Sequence, residues 1–175
     1  MYEFLLRRRI KRIIKNSERE KVFQNLNEIS SVMVLFDAKN FEDANFFIQH
    51  LKKMGKKIKV FAYKDPKDTY NFANQSFSII YKRELKDMKG ESLTQIADKL
   101  SKEKFDLVVD LTLEENLLLL YILVSTNSPL KIGFHKHTPW VHDIVISGAE
   151  QNVKELGEQL ICYLSAISSV RTKND

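Results

Sequence analysis

Cysteine and glycine are scarce in this chain of 175 residues, which contains one cysteine and five glycines. The single cysteine, Cys162, excludes an intrachain disulfide and a cysteine-rich zinc site, and it indicates a reducing compartment. A nucleotide site of the usual kind needs glycines in its first strand-to-helix turn, where the backbone approaches the phosphates. That turn, residues 37–40, contains no glycine. We therefore expect no nucleotide cofactor.

The sequence signatures of common enzyme classes are missing as well. There is no P-loop, no G-x-S-x-G turn and no cysteine–histidine pair in a nucleophile context. No residue is assigned a catalytic role, and these absences favour a protein that is not an enzyme.

Long hydrophobic runs are also absent. The most apolar segment, residues 117–124, is far shorter than the roughly 20 residues that cross a bilayer. The chain begins with MYEFLLRRRIKRIIKN, in which a short apolar run precedes the arginines, whereas a secretory signal has a basic start followed by a longer apolar stretch. These patterns predict no transmembrane helix, no signal peptide and a cytoplasmic location.

The composition is that of an ordinary globular protein, with 43% hydrophobic and 29% charged residues. The length suits one domain with its own core. We expect a basic helical extension at residues 1–28, a single Rossmann-like α/β domain at residues 29–170 and a disordered tail at residues 171–175.

Short β-type runs alternate with helical patterns, which is typical of a parallel sheet built from βαβ units. The sequence predicts a three-layer Rossmann-like fold: a mostly parallel sheet of five to six strands flanked by helices, preceded by an amphipathic helix. The connection at residues 64–76 is left as a loop or a short irregular helix. The last two strands are so close in sequence that an antiparallel last strand stays open. The predicted strands are 31–36, 57–63, 77–81, 105–111, 130–134 and 143–147.

Paired capping residues mark the predicted helix starts. Each pair combines a side chain that accepts a hydrogen bond at the N-cap with a polar residue three positions later. The pairs are Asn40 with Asp43, Ser92 with Gln95, Thr112 with Glu115, and Ser147 with Glu150.

Positive charge is concentrated at the N-terminus. Residues 1–21 hold eight basic and three acidic groups, an excess of five that equals the net charge of the whole chain, so the remaining residues carry equal numbers of each. Any general attraction for anions therefore belongs to this segment. On a helical wheel its isoleucines and leucine gather opposite its cations. The candidate residues for an anionic partner are Arg7, Arg8, Arg9, Lys11, Arg12, Lys15 and Arg19.

Three interpretations of this helix stay open. It packs on the domain with a merely solvated outer face, it presents its cations to RNA or another polyanion, or it lies on an anionic membrane surface. The near absence of compensating acids between Arg7 and Asn16 favours a polyanionic partner.

A ligand pocket, if the domain has one, is expected beyond the carboxyl ends of the parallel strands. Glu114 and Glu115 stand at the start predicted for the helix after the fourth strand. Their negative charge there disfavours the binding of a phosphate. The candidate pocket residues are Asp37, Lys39, Asn40, Asp110 and Thr112.

Three of the four histidines lie in the segment HKHTPWVH, namely His135, His137 and His142. His-x-His in an extended segment puts both rings on one face, a geometry able to hold zinc. Because most such clusters are simply solvated or bonded to the backbone, no metal is predicted. For Trp140, beside them, two roles are considered, a cover over the edge of the sheet and a stacking platform, and the first is predicted.

The stretch FDLVVDLTLEENLLLLYILVSTNSPLKIGF, residues 105–134, resembles the N-terminal half of bacterial heptosyltransferase-like glycosyltransferases of the GT-B class. The whole chain also resembles a small uncharacterised family of Bacteroidota proteins. The first resemblance implies a Rossmann-like half domain. Sugar transfer is not expected, because residues 37–40 replace a glycine-and-acid turn of that family and its donor nucleotide binds a second domain, absent from these residues.

The sequence therefore supports two functional hypotheses. The preferred one is a non-catalytic scaffold that docks on RNA or a ribonucleoprotein through the basic helix. The alternative is a glycosyltransferase-related enzyme or a sugar or nucleotide-sugar binding remnant, with its site at the carboxyl ends of the first and fourth strands.

Overall fold

Strands and helices alternate along the chain in the computed structural model, which describes residues 2–70, 72, 76–81, 91–134, 137–147, 152–167 and 170–172. The helices in this part of the chain are α1 (Tyr2–Lys15), α2 (Phe41–Lys53), α3 (Leu93–Lys102), α4 (Leu117–Ser125) and α5 (Val153–Ala166). The strands are β1 (Lys21–Phe23), β2 (Ser31–Asp37), β3 (Lys57–Lys64), β4 (Ser78–Tyr81), β5 (Leu107–Asp110), β6 (Lys131–Phe134), β7 (Ile144–Ile146) and β8 (Val170–Thr172). One turn of 3-10 helix, Ala38–Asn40, joins β2 to α2.

Strands β2 to β7 form one parallel sheet in the order β4-β3-β2-β5-β6-β7. The chain starts in the middle with β2, adds β3 and β4 on one side, and then returns to add β5, β6 and β7 on the other. This is the doubly wound order of Rossmann-like folds, so the predicted fold class is confirmed. The order reverses between β2 and β5, and a crevice opens there beyond the carboxyl ends of the strands.

Helices cover both faces of the sheet, and strand β2 is consequently buried almost throughout. Val32, Val34 and Phe36 pack in the core on the side of α2 and α5. Met33 and Leu35 pack on the side of α1, α3 and α4. The predicted three layers are therefore present. Even α4, the most apolar helix, has only nine residues, and no helix in the described part of the chain has the length and apolar character to span a bilayer.

The last strand of the sheet, β7, runs parallel to β6, with Gly133 paired to Val145. The antiparallel direction considered for it from the sequence is therefore wrong. Extended chain covers about 3.3 Å per residue, so the short connection at residues 135–143 is long enough to return past the four residues of β6.

Two capping predictions have opposite outcomes. Ser92 and Gln95 form a complete capping box at the start of α3, as predicted. The start predicted for α4 is wrong, because that helix begins at Leu117 and its N-cap side chain is Asn116. Thr112 instead donates its hydroxyl to a neighbouring aspartate.

The other two capping predictions are not supported by cap hydrogen bonds. Asn40 occupies the N-cap position of α2, but its side chain makes no cap hydrogen bond. α5 is capped by Asn152, which accepts a hydrogen bond from Lys154 N at 2.8 Å, so the predicted cap Ser147 is wrong. Glu150 lies outside the described residues.

The predicted extension, residues 1–28, contains more than a helix. α1 ends at Lys15, and β1 then pairs antiparallel with β8 near the end of the chain. Leu6 and Ile10 are buried where α1 packs against α4, so the apolar side predicted for this helix faces the domain. Residues 171 and 172 of the predicted tail belong to β8, and residues 173–175 lie outside the described ones.

The connection left unassigned in the sequence, residues 64–76, begins as a turn in which Asp68 N donates to Asp65 O at 2.9 Å. Phe72 is buried edge-on against Phe41 and beside Phe77. Residues 71 and 73–75 of this connection lie outside the described residues.

Candidate functional site

Helix α1 presents a row of cations to solvent because its apolar side faces the domain. A helix turns about 100° per residue, so Arg8 and Arg12 lie on the side opposite the buried Leu6 and Ile10. Among the described residues, no carboxylate lies within 4.0 Å of the charged groups of five exposed basic residues on this helix. We refer to these five residues as the basic face: Arg8, Arg9, Lys11, Arg12 and Lys15.

A groove of about 530 Å³ runs between the C-terminal ends of α1 and α4. Arg12 of the basic face lines it, together with Ile13 and Arg19 on one side and Val124 and Asn127 on the other. The basic face therefore borders a concave surface that has both apolar and polar walls.

Arg7 is bound by the protein's own surface. Its Nη1 lies 3.0 Å from Oε1 of Glu115, whose side chain is only 7% exposed. The other oxygen of this carboxylate accepts hydrogen bonds from the backbone N and the hydroxyl of Thr138, at 2.9 and 2.7 Å. Burial would raise the pKa of Glu115, but the hydrogen bonds from Thr138 and Arg7 outweigh it and hold that pKa below its ordinary value.

Arg19 is likewise engaged within the domain. Its Nη2 lies 2.6 Å from Oδ1 of Asp143, and its Nη1 donates to the backbone oxygens of Ser128 and Pro129. Lys21 approaches the same Asp143 oxygen at 3.4 Å. Of the seven cations proposed for an anionic partner, Arg7 and Arg19 therefore hold α1 and the following segment against the domain.

Lys131 is a buried cation next to this cluster. Its Nζ donates to Leu123 O at 2.7 Å, near the C-terminal end of α4, and its backbone N donates to Oδ2 of Asp143 at 2.8 Å. Burial lowers the pKa of Lys131 to about 7; nearby Arg19 adds to the lowering, while Asp143 opposes it.

A second candidate site lies at the switch point of the sheet, beyond the carboxyl ends of β2 and β3 and beside the start of α4. It is a pocket of about 200 Å³. Two of the residues predicted for a pocket, Asp37 and Lys39, line it. The remaining lining residues were not predicted for it: Tyr63, Asp65, Asp68, Glu114, Glu115 and Asn116.

Carboxylates outnumber cations in this pocket. Five of its lining residues are acidic, and Lys39 is the one basic residue among them. Burial raises the pKa of Tyr63, and the negative charges of Asp65, Asp37 and Asp68 raise it further. The same field disfavours a phosphate or a diphosphate in the pocket.

Asp110 and Thr112, also predicted for the pocket, do not line it. The Asp110 carboxylate accepts hydrogen bonds from the Thr112 N and hydroxyl, at 3.0 and 2.6 Å, and its other oxygen lies 3.1 Å from Nε2 of His142. His142 packs over Gly133, where an added Cβ would lie 2.5 Å from that nitrogen, so a glycine is needed there. Asn40 lies outside the pocket lining, and its amide nitrogen is buried without a hydrogen-bond partner in the described structure.

Comparison with known proteins assigns this chain to a family. The chain matches a family of unknown function, DUF6913, over residues 3–167. It belongs to that family. The match begins within α1 and ends just after α5, so the DUF6913 region includes the basic face as well as the sheet. No curated protein and no solved structure matches the chain significantly.

The two described histidines of the HKHTPWVH segment in this DUF6913 chain differ in their surroundings. His142 is buried against Asp110, His137 is exposed, and His135 lies outside the described residues. In the part of the chain that the structure covers, no group of three or more His, Cys, Asp or Glu residues is arranged to hold a metal ion. The prediction that Trp140 covers the sheet edge is wrong, because its side chain is 86% exposed.

Proposed function

We propose that this protein is a non-catalytic binding module that docks on RNA, free or within a ribonucleoprotein, through the basic face of α1. One observation carries the proposal: five exposed cations lie together without a carboxylate partner among the described residues, on a domain whose remaining charges balance. Like charges so close together repel one another, and a polyanion relieves that repulsion.

The packing of α1 favours a nucleic acid over a membrane surface. A helix that lies in a membrane interface inserts its apolar side among the lipids. In this chain that side is occupied, because Leu6 and Ile10 are buried in the core beside α4. Phe4 and Leu5 of α1 are exposed, but most of its exposed side chains are the five cations of the basic face, which suit phosphates that stay in water.

The test is RNA binding as a function of salt. Each phosphate contact to single-stranded RNA contributes about 0.7 to the slope of log affinity against log salt. We expect the variant Arg8→Glu, Arg12→Glu, Lys15→Glu to bind a uridine oligonucleotide more weakly and to lower that slope by about 2, whatever the base sequence. Fluorescence anisotropy of a labelled oligonucleotide measures both quantities.

The matched control is Lys52→Glu, Lys53→Glu, Lys57→Glu, which reverses three exposed lysines at the end of α2 and the start of β3. It changes the net charge equally, but α2 belongs to the opposite helical layer. We expect its salt slope to stay near that of the wild type. Equal slopes for the wild type and both variants would remove the proposal.

A second candidate is a sugar-binding remnant, supported by the resemblance of residues 105–134 to heptosyltransferase-like half domains and by the pocket at the switch point. Carboxylates and Asn116 are good acceptors and donors for sugar hydroxyls, whereas the excess of acids disfavours nucleotide sugars. We expect neutral sugars, and not nucleotide sugars, to raise the melting temperature if this candidate is right. A flat response across both panels would dismiss it.

A further inference from the structure

We propose that Trp140 is a stacking platform for a base of single-stranded RNA, an inference that rests on the proposed function of the basic face. Trp140 is the most exposed large apolar side chain of the described residues, at 86%. Tryptophan is ordinarily well buried, and its large ring is among the strongest contributors when a partner covers it. An indole left in water is therefore a candidate contact for a partner.

The backbone conformation at Trp140 indicates that the fold itself holds this side chain in its exposed position. Its φ is +64°, and it is the one non-glycine residue with positive φ in the described part of the chain. A bulky residue adopts this left-handed conformation only where its surroundings impose it, and such residues concentrate at functional sites.

Residues before and after Trp140 fix the loop that carries it, residues 137–143, to the rest of the domain. Two positions before it, Thr138 donates two hydrogen bonds to Glu115. Directly after it, Val141 is buried in the core, and His142 is bound to Asp110. Because these contacts hold residues 138–142 in place, a partner that stacks on the indole loses little conformational entropy on binding.

The Glu115 carboxylate links this loop to α1, the helix that carries the basic face. Glu115 binds Thr138 through one oxygen and Arg7 of α1 through the other, so the loop lies beside the N-terminal half of α1. The exposed Phe4 stands one turn before Arg8 on that helix, which adds a second aromatic ring among the cations.

Cations beside an exposed aromatic ring are the combination that binds single-stranded nucleic acid. The phosphates lie along the cations, and a base stacks on the ring without regard to its sequence. A polyanion without bases would contact the cations alone. The indole therefore favours the binding of single-stranded RNA over that of other polyanions.

The test uses the fact that Trp140 is the only tryptophan of the chain. We expect a uridine or adenine oligonucleotide to quench its fluorescence. Trp140→Ala should weaken binding of a labelled oligonucleotide about tenfold without changing the salt slope, and Trp140→Phe should recover part of the loss. The matched control is Tyr163→Ala, which removes an exposed aromatic ring from α5 in the opposite layer and should bind as the wild type does.

The outcomes separate this inference from the proposed function. RNA binding that depends on the basic face, with an unquenched indole and a Trp140→Ala variant of full affinity, would overturn the stacking role and leave the proposed function standing. Absence of RNA binding by the wild type would overturn both. A response of the indole to phosphatidylserine vesicles but not to RNA would overturn the inference in favour of a membrane contact.

Discussion

Replacing Asp143 by alanine is expected to lower the free energy of unfolding by about 3–5 kcal/mol, which is the usual cost of removing one partner from a buried ion pair. The Asp143 side chain is only 1% exposed and lies 2.6 Å from Arg19. Its second oxygen accepts the backbone N–H of Lys131, so the substitution also leaves a donor of strand β6 without its bond. Urea unfolding of the full chain, with the slope against urea compared between proteins, measures the loss.

The matched control for Asp143→Ala is Glu103→Ala. Glu103 pairs with Lys59 at the same distance, 2.6 Å, but the two side chains are 40% and 38% exposed. Solvent screens such a pair, and we expect its removal to cost no more than about 1 kcal/mol. Similar losses in the two variants would show that the Arg19–Asp143 pair does not fasten the segment after α1 to the domain.

This ion pair also illustrates what sequence alone does not reveal. Arg19 and Asp143 are separated by 124 positions, and no local pattern links them. On the sequence, Arg19 is one more cation of the basic segment and Asp143 is the first residue of a strand. The fold brings them together, because Arg19 also binds the backbone oxygens of Ser128 and Pro129, just before β6, while Asp143 accepts the backbone N–H of Lys131.

The sheet was far more predictable because its signal is local. Strand β2 is an unbroken apolar run between polar segments, as expected for a strand covered on both faces, and α3 carries its capping box in sequence. Such patterns identify the elements, and the rules for parallel sheets then give the fold class. The direction of β7 depends on how a short connection crosses the sheet end, which no periodicity encodes.

The pocket was less predictable than the sheet, because only two of its eight lining residues were predicted. Asp37 and Lys39 follow the first strand of the sheet directly, so the rule that ligands bind at carboxyl ends identifies them. Asp65 and Asp68 also follow a strand, β3, but they lie in the connection whose structure the sequence left open. Asp110 sits at a strand end as well, yet its carboxylate is turned to Thr112 and His142, a choice made by side-chain hydrogen bonds rather than by position.

The stability of the protein is expected to rise with pH between about 7 and 10, because of Lys131. Burial lowers its pKa in the folded chain to about 7, whereas in the unfolded chain the pKa keeps its ordinary value of 10.5. Between these two values the unfolded chain binds more protons than the folded one, so stability increases with pH, and the full penalty applies below about 7. One proton corresponds to about 1.4 kcal/mol per pH unit; since the proton difference is partial near both ends of this window, the rise is roughly 3–4 kcal/mol.

Lys131→Met should remove this dependence. The methionine fills similar space and carries no charge to desolvate, although Leu123 O loses its donor. Other groups that titrate at alkaline pH are common to both proteins, so the difference between their unfolding free energies isolates Lys131. We expect that difference to favour the methionine variant near pH 7 and to shrink steadily toward pH 10. A difference that stays constant across the window would mean that Lys131 keeps its charge in the folded chain as readily as in the unfolded one.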